Sequence, residues 1–146
     1  MAPVEPGRIR NVAVVGHRGT GKTSLVEALL YQAEELNRLG TIDAGTTVGD
    51  WDDDEQRRRL SISLALAHAE WHGRKLNLID APGDPSFQGE ARCSLRVVEG
   101  ALVVLSGVMG VEVGTGRVWK RAEELGLARV LFVNMLDRER ADFFRA

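Results

Sequence analysis

Gly16, His17, Arg18, Gly19, Thr20, Gly21, Lys22 and Thr23 follow the pattern G-x-x-x-x-G-K-[ST], a spacing suited to wrapping a phosphate chain. Glycines at these positions let backbone N–H groups turn inward around phosphate oxygens, and a helix starting behind them adds the favourable end of its dipole. The Lys22 ammonium would sit on the β- and γ-phosphates, and the Thr23 hydroxyl would ligate Mg²⁺. The pattern indicates a nucleoside triphosphate without saying which.

Asp80, Ala81, Pro82, Gly83 and Asp84 follow the apolar run KLNLI. A carboxylate at the C-terminal end of a strand can hold Mg²⁺ through water, the role this position gives Asp80. Gly83 could offer its N–H to a γ-phosphate oxygen, since no side chain keeps the backbone away. Taken alone, the stretch also suits an ordinary Pro-Gly turn capped by Asp80. Asn134, Met135, Leu136 and Asp137 follow another apolar run, RVLFV. An ionised Asp only accepts hydrogen bonds, and guanine offers adjacent donors at N1 and N2 where adenine presents an acceptor at N1. Asp137 therefore favours guanine, and Asn134 and Asp137 are expected to read the base, although N-x-x-D alone also describes a loop with an Asx-turn.

Elements of alternating type would have to position these groups. Residues 9–15 read as a buried strand, followed from Gly21 by a helix with Leu25, Val26, Leu29, Ala33, Leu36 and Leu39 on its apolar face and Gly40 as C-cap. Residues 40–59 carry no period and read as a long loop bearing a solvated charge run. Residues 61–70 alternate with period two, which would put Ile62, Leu64 and Leu66 on one face. Residues 71–74 form a hairpin turn into a strand over 74–79. A helix is expected from about Pro85 to Glu99, a strand over 101–105, a helix over 115–125, a strand over 129–133, and the opening of a further helix over 138–146. The fold class is α/β: a P-loop NTPase three-layer sandwich whose sheet is mostly parallel with one antiparallel edge strand.

The 146 residues fit one domain, and 44% apolar with 27% charged residues suits a packed core, not disorder. A formal net charge of −2 announces neither naked nucleic acid nor an anionic membrane, so no DNA and no membrane partner is expected. Cys93 is alone and cannot form an internal disulfide, which fits a cytoplasmic setting. It reads as a buried structural thiol. Residues 1–8 read as a flexible tail with no secretory signal. His68 and His72 lack partners at zinc spacing, and Trp51, Trp71 and Trp119 are too scattered for an RNA-stacking platform. Glu34, Glu35, Glu123 and Glu124 read as solvated carboxylates on helix faces.

With the three loops in this order, the chain resembles the start of the GTP-binding domain of translational GTPases, above all elongation factor G and its elongation-factor-G-like relatives. The resemblance runs from about Ile9 to Arg145 and includes LRVVEGA from Leu95, GVE from Gly110, Val118-Trp119 and ADFFR from Ala141. It implies GTP or GDP as ligand, Mg²⁺ as cofactor, and a ribosome-associated shape change on hydrolysis. Residues 9–146 would be the N-terminal portion of that domain, its sheet truncated after the fifth strand and without the family's base-closing loop and later domains, as in a fragment or a shortened gene product.

Both switches and the base loop depart from the family pattern. The family's first switch ends in Arg-Gly-Ile-Thr, matched here by Arg58-Arg59-Leu60-Ser61, so the resemblance makes Ser61 a Mg²⁺ ligand with Thr23 and Asp80 while Arg59 replaces a glycine. The family's second switch reads Asp-Thr-Pro-Gly-His, and Asp84 stands where that histidine orients the attacking water. A carboxylate there repels the γ-phosphate, so Lys22 and Asp84 are the groups expected to set the catalytic rate, and that rate should be slow. Met135 stands where the family has a lysine and can mimic only its apolar stem. The leading reading is a guanine-nucleotide switch. The alternatives are a guanine-nucleotide-dependent binding module with little turnover, and an ATP-using P-loop enzyme.

Overall fold

A computed structural model describes residues 4–146. Strand β1 (Ile9–Gly16) is central because Ala13, Val14 and Val15 carry small or branched apolar side chains that helices cover from both sides. Ala13 and Val15 face α3 (Gln88–Ser94) and α4 (Val113–Glu124), whereas Val12 and Val14 face α1 (Lys22–Gln32). Around β1 the sheet runs β2 (Ala65–Trp71), β3 (Arg74–Asp80), β1, β4 (Gly100–Ser106), β5 (Ala128–Asn134). Only β2 is antiparallel to its neighbour. This is the three-layer α/β arrangement expected from the alternation of elements.

Parallel register brings chemistry to one edge. Val14 pairs with Asp80, Gly16 with Val104, and Ser106 with Asn134, so the carboxyl ends of the four parallel strands lie side by side. Open α/β sheets bind ligands at this edge. At the opposite end, Glu99 accepts from Asn11 N (2.7 Å) and Asn11 Nδ2 (2.9 Å), and Asn77 Nδ2 donates to Asn11 Oδ1 (2.7 Å), fastening β1, β3 and the entry to β4. The β2–β3 hairpin pairs Trp71 with Arg74, and both His72 and Gly73 have positive φ, as a two-residue type I′ turn requires.

Several sequence expectations are corrected. Helix α1 ends at Gln32, not at Gly40: Glu34 takes a left-handed φ of 61°, with Glu34 N bonded to Tyr31 O and Glu35 N to Leu30 O. The apolar period outlasts the helix because Leu36 still packs on the α1 side of the sheet. Gly40 has another duty, its N–H donating to Glu27 Oε1 at 3.1 Å. Within residues 40–59 lies α2 (Asp53–Arg58), too short to show a period but closed by an Asp52/Glu55 capping box. Its charge run is solvated only in part, since Asp50 and Glu55 are buried.

Strand β2 starts at Ala65, and its inward face is the alanine face. Ala67 pairs with Leu78 beneath α1, whereas Leu66 pairs with Ile79 on the other face of the edge strand and stays 74% exposed. The helix expected to reach Glu99 is a 3-10 turn (Pro85–Phe87) followed by α3, where Ser94 Oγ bonds back to Ala91 O (2.8 Å) in competition with the helical ladder. Residues 138–146 form turns, not a helix, with Asp142 Oδ1 accepting from Phe144 N and Arg145 N. Glu34 and Glu35 therefore lie beyond α1, and Glu35 Oε1 accepts from Glu70 N. Of the tail expected at 1–8, residues 1–3 lie outside the described residues and Pro6–Arg8 is a 3-10 turn. No helix among the described residues is long and apolar enough to cross a membrane.

Packing, not period, decides which leucines matter. Leu95 is 1% exposed in the core under α3 and α4. Urea unfolding should show Leu95→Ala losing about 2–5 kcal/mol, while Leu66→Ala changes stability by less than about 0.5 kcal/mol. Equal losses would contradict this assignment of faces.

Candidate functional site

The first loop connects β1 to α1. Thr20 Oγ1 and Lys22 Nζ both donate to His17 O, at 3.0 and 2.9 Å, curling the loop around its own backbone. Gly21 has a φ of 84°, and a Cβ there would collide with the Asn134 side chain. That contact is a built one: Asn134 Nδ2 donates to Thr20 O at 2.9 Å, tying the end of β5 to the phosphate loop. Met135, at φ 61°, lays its methyl over the same glycine, while Leu136 and Asp137 are exposed beside it. His17 turns away toward α4, where its Nδ1 accepts from Gly114 N (3.3 Å) and its Nε2 lies 3.4 Å from Glu112.

The second loop continues β3. Ala81 N donates to Val14 O (3.1 Å), and Ala81 and Pro82 are buried. Gly83 then passes so close to the first loop that a Cβ on it would clash with Lys22 Nζ and stand 2.7 Å from Arg18 N. Asp84 follows, with Oδ1 accepting from Ser86 N (2.9 Å) and Oδ2 3.3 Å from Arg18 Nη1. These bonds from Ser86, aided by Arg18, hold its carboxyl below the usual range, so it is an anion at neutral pH.

Beside the two loops, hydroxyls and carboxylates form a largely buried, charged cluster. Thr23 Oγ1 is 3.1 Å from Ser61 Oγ, which donates to Asp50 Oδ1 at 2.7 Å. Asp80 is 3% exposed, and its Oδ1 is buried without a hydrogen-bond partner. Burial pushes the Asp80 carboxyl up to about 6, against the lowering effect of the Thr23 hydroxyl and Lys22. Burial also raises Asp50, and it lowers Lys22 despite attraction from Asp80, Asp50 and Glu112. A buried carboxylate oxygen without a partner, on a carboxylate that the Thr23 hydroxyl approaches, fits a hard cation such as Mg²⁺. Among the described residues no three His, Cys, Asp or Glu side chains converge to hold a metal unaided. Mg²⁺ at this place would therefore complete its shell with phosphate oxygens and water.

The structure thus gathers Thr23, Ser61 and Asp80 in one pocket, Lys22 and Gly83 in contact, and Asn134 and Met135 against the phosphate loop. Three carboxylates that no sequence motif singled out support them. Glu55 accepts from Ile62 N (2.8 Å) and Ser63 N (3.0 Å), holding the segment that presents Ser61. Glu27 bonds Gly40 N and Val48 N across residues 40–48. Asp50 holds the Ser61 hydroxyl itself. The Asp52-x-x-Glu55 spacing was a readable signal for Glu55; Asp50 and Glu27 had none. Cys93 is exposed on the outer face of α3, which overturns the expected burial. Trp119 stacks under Arg129, 4.4 Å from guanidinium carbon to ring centre.

A family model described as the elongation factor Tu GTP binding domain matches residues 7–146. The chain belongs to that family. Elongation factor G of Dehalococcoides mccartyi is 41% identical over 94% of the chain, and the elongation factor G-like protein of Mycobacterium tuberculosis is 42% identical over 97%. The mitochondrial ribosome-releasing factor 2 of Scheffersomyces stipitis is 40% identical over 94% of the chain and 16% of its own length. A solved structure from Thermus thermophilus superposes with a TM-score of 0.91 at 41% identity, over 94% of this chain and 21% of that one. The chain spans about 20% of the length of the two elongation-factor relatives.

In this elongation factor Tu type domain the buried Asp80 costs stability at neutral pH. Its folded value of about 6 lies above the ordinary 3.8, so folding is favoured by this group at low pH and that contribution is lost as pH rises from about 4 through 6. Without nucleotide or Mg²⁺, Asp80→Asn should be more stable than the parent at pH 7.5, with the difference shrinking toward pH 4. Thermal unfolding at the two pH values checks this. A parent more stable than the variant at pH 7.5 would contradict it.

Proposed function

We propose that the chain is the nucleotide-binding part of an elongation-factor-G-like switch that binds GTP with Mg²⁺ and hydrolyses it slowly in association with the ribosome. The observation that carries this reading is the convergence of Lys22, the Thr23–Ser61–Asp80 pocket and the Asn134–Thr20 bond at one edge of the sheet. Lys22 and the amides of Gly19, Thr20 and Gly21 would neutralise and orient the phosphates. Thr23 and Ser61 would hold Mg²⁺, with Asp80 acting through water and Asp50 fixing the Ser61 hydroxyl. Mg²⁺ when bound would supply charge neutralisation at the β- and γ-phosphates. Gly83 would give its N–H to the γ-phosphate, and Asp137 would read guanine while Asn134 keeps the base loop in place. The ribosome as partner rests on the names of the relatives, elongation factor G and ribosome-releasing factor 2.

A second reading, a guanine-nucleotide-dependent binding module with little turnover, is favoured by Asp84. Its carboxylate is anionic and engaged by Ser86 and Arg18, and it offers no donor to a water. Single-turnover phosphate release with and without ribosomes separates the two. The slow switch predicts release that ribosomes accelerate and that Lys22→Ala abolishes; release at the background of Lys22→Ala under both conditions leaves the binding module.

Base choice is tested by Asp137→Ala, which should weaken GTP by about 10- to 100-fold, the loss of charged hydrogen bonds. ATP binding should not change. Met135→Lys should tighten GTP and GDP alike, because the base loop lies over the phosphate loop at Gly21. Titration calorimetry reads both, and an unchanged GTP affinity in either variant would overturn the role given to that residue.

A further inference from the structure

Asp84 puts a negative charge directly after Gly83, the residue whose N–H is assigned to the terminal phosphate. Its Oδ2 lies 3.3 Å from Arg18 Nη1, a side chain of the phosphate loop 66 residues away in sequence. We propose that Arg18 is the counter-ion that lets the second loop close on a triphosphate with a carboxylate in it, and that it thereby sets the preference for GTP over GDP. The inference rests on the guanine-nucleotide reading above.

Asp84 is not free to turn its charge away. Its Oδ1 accepts from Ser86 N at 2.9 Å and caps the Pro85–Phe87 turn, which leaves Oδ2 on the side of the phosphate loop. Gly83 is equally confined: a Cβ on it would clash with Lys22 Nζ and stand 2.7 Å from Arg18 N, so the second loop has little slack in which to carry Asp84 off. Lys22 does not supply the missing charge. It donates to His17 O, and the carboxylates that attract it are Asp80, Asp50 and Glu112. Among the described residues, Asp84 forms its ion pair with Arg18 alone. Like charges a few ångströms apart repel, and a cation paired with one of them offsets that repulsion. A guanidinium is cationic at any working pH, so the offset is always present. The terminal phosphate and Arg18 then act in the same direction: the phosphate draws the Gly83 N–H toward itself, and Arg18 offsets the charge that the next residue brings along. GDP has no terminal phosphate for Asp84 to oppose, so the offset counts for GTP above all. Arg18 needs no contact with the nucleotide, because it acts through Asp84.

Affinities of the intact protein for GDP and for the β,γ-imido analogue of GTP, both with Mg²⁺, test this in a double-mutant cycle. Arg18 is 61% exposed, and a single ion pair at the surface adds little stability, so Arg18→Ala should fold as the parent does. It should lower the analogue-to-GDP preference by about fivefold, the weight of one uncompensated charge near the surface. Asp84→Asn keeps an oxygen for Ser86 N and loses the charge. Added to Arg18→Ala it should restore the preference, and its gain there should exceed its gain in the parent. A double variant with the same low preference as Arg18→Ala overturns the proposal, because Arg18 would then act on the nucleotide itself. An Arg18→Ala preference equal to the parent's overturns it as well, as does an Asp84→Asn gain of the same size in both backgrounds. A parent that binds neither nucleotide removes the guanine-nucleotide reading, and this inference with it.

Discussion

Lys22, Asp50 and Asp80 are withdrawn from water together at the carboxyl edge of the sheet, and this burial of charge is the constraint around which the domain is arranged. Removing ionised groups from water is costly unless each is paired and hydrogen-bonded. Here the pairing is incomplete. Asp80 keeps one oxygen without a partner, and Lys22 donates to a backbone carbonyl of its own loop. A chain selected for stability alone would have replaced these groups with apolar side chains. The cost of burying them is what a phosphate-bound cation would repay.

The surrounding structure holds this pocket in place. Parallel register fixes where Gly16, Asp80 and Asn134 end up, and a shift of one residue would reverse every side chain on a strand. Residues 40–62 have no strand to fix them, and buried carboxylates replace one. Glu27 fastens the near half to α1, while Glu55 fastens the far half and presents Ser61. A segment held by a few side-chain bonds and little apolar surface can rearrange at modest cost, as a loop that responds to a ligand must. The Arg18–Asp84 pair bridges the first and second loops by one side-chain contact.

Much of this is legible in the sequence. The phosphate loop, the Asp80 and Asn134 strand ends and the His72-Gly73 hairpin are local patterns whose spacing has one economical three-dimensional meaning. Strand content was legible for the same reason, since β1, β3 and β4 are apolar runs bounded by turn residues. What escaped was set by distant partners. Leu66 reads as core by period but faces outward, because the register with β3 and the crossing of α1 choose the alanine face. Asp50 reads as one acid in a solvated run, and only the arrival of Ser61 and Lys22 from elsewhere makes it buried. Arg18 reads as a variable position of the phosphate loop and Asp84 as a lone departure from the family pattern. Their contact across the sheet edge appears in no local window.

The central claim is that the buried charges of Lys22 and Asp80 are completed by a guanine nucleotide and its Mg²⁺. Thermal unfolding of the intact protein with Mg²⁺ alone, with Mg²⁺ and GTP, and with Mg²⁺ and ATP measures it most directly, since a ligand stabilises the fold in proportion to its binding. The account predicts a clear rise in Tm with GTP and little change with the other two. Equal rises with GTP and ATP, or none with either, would contradict it.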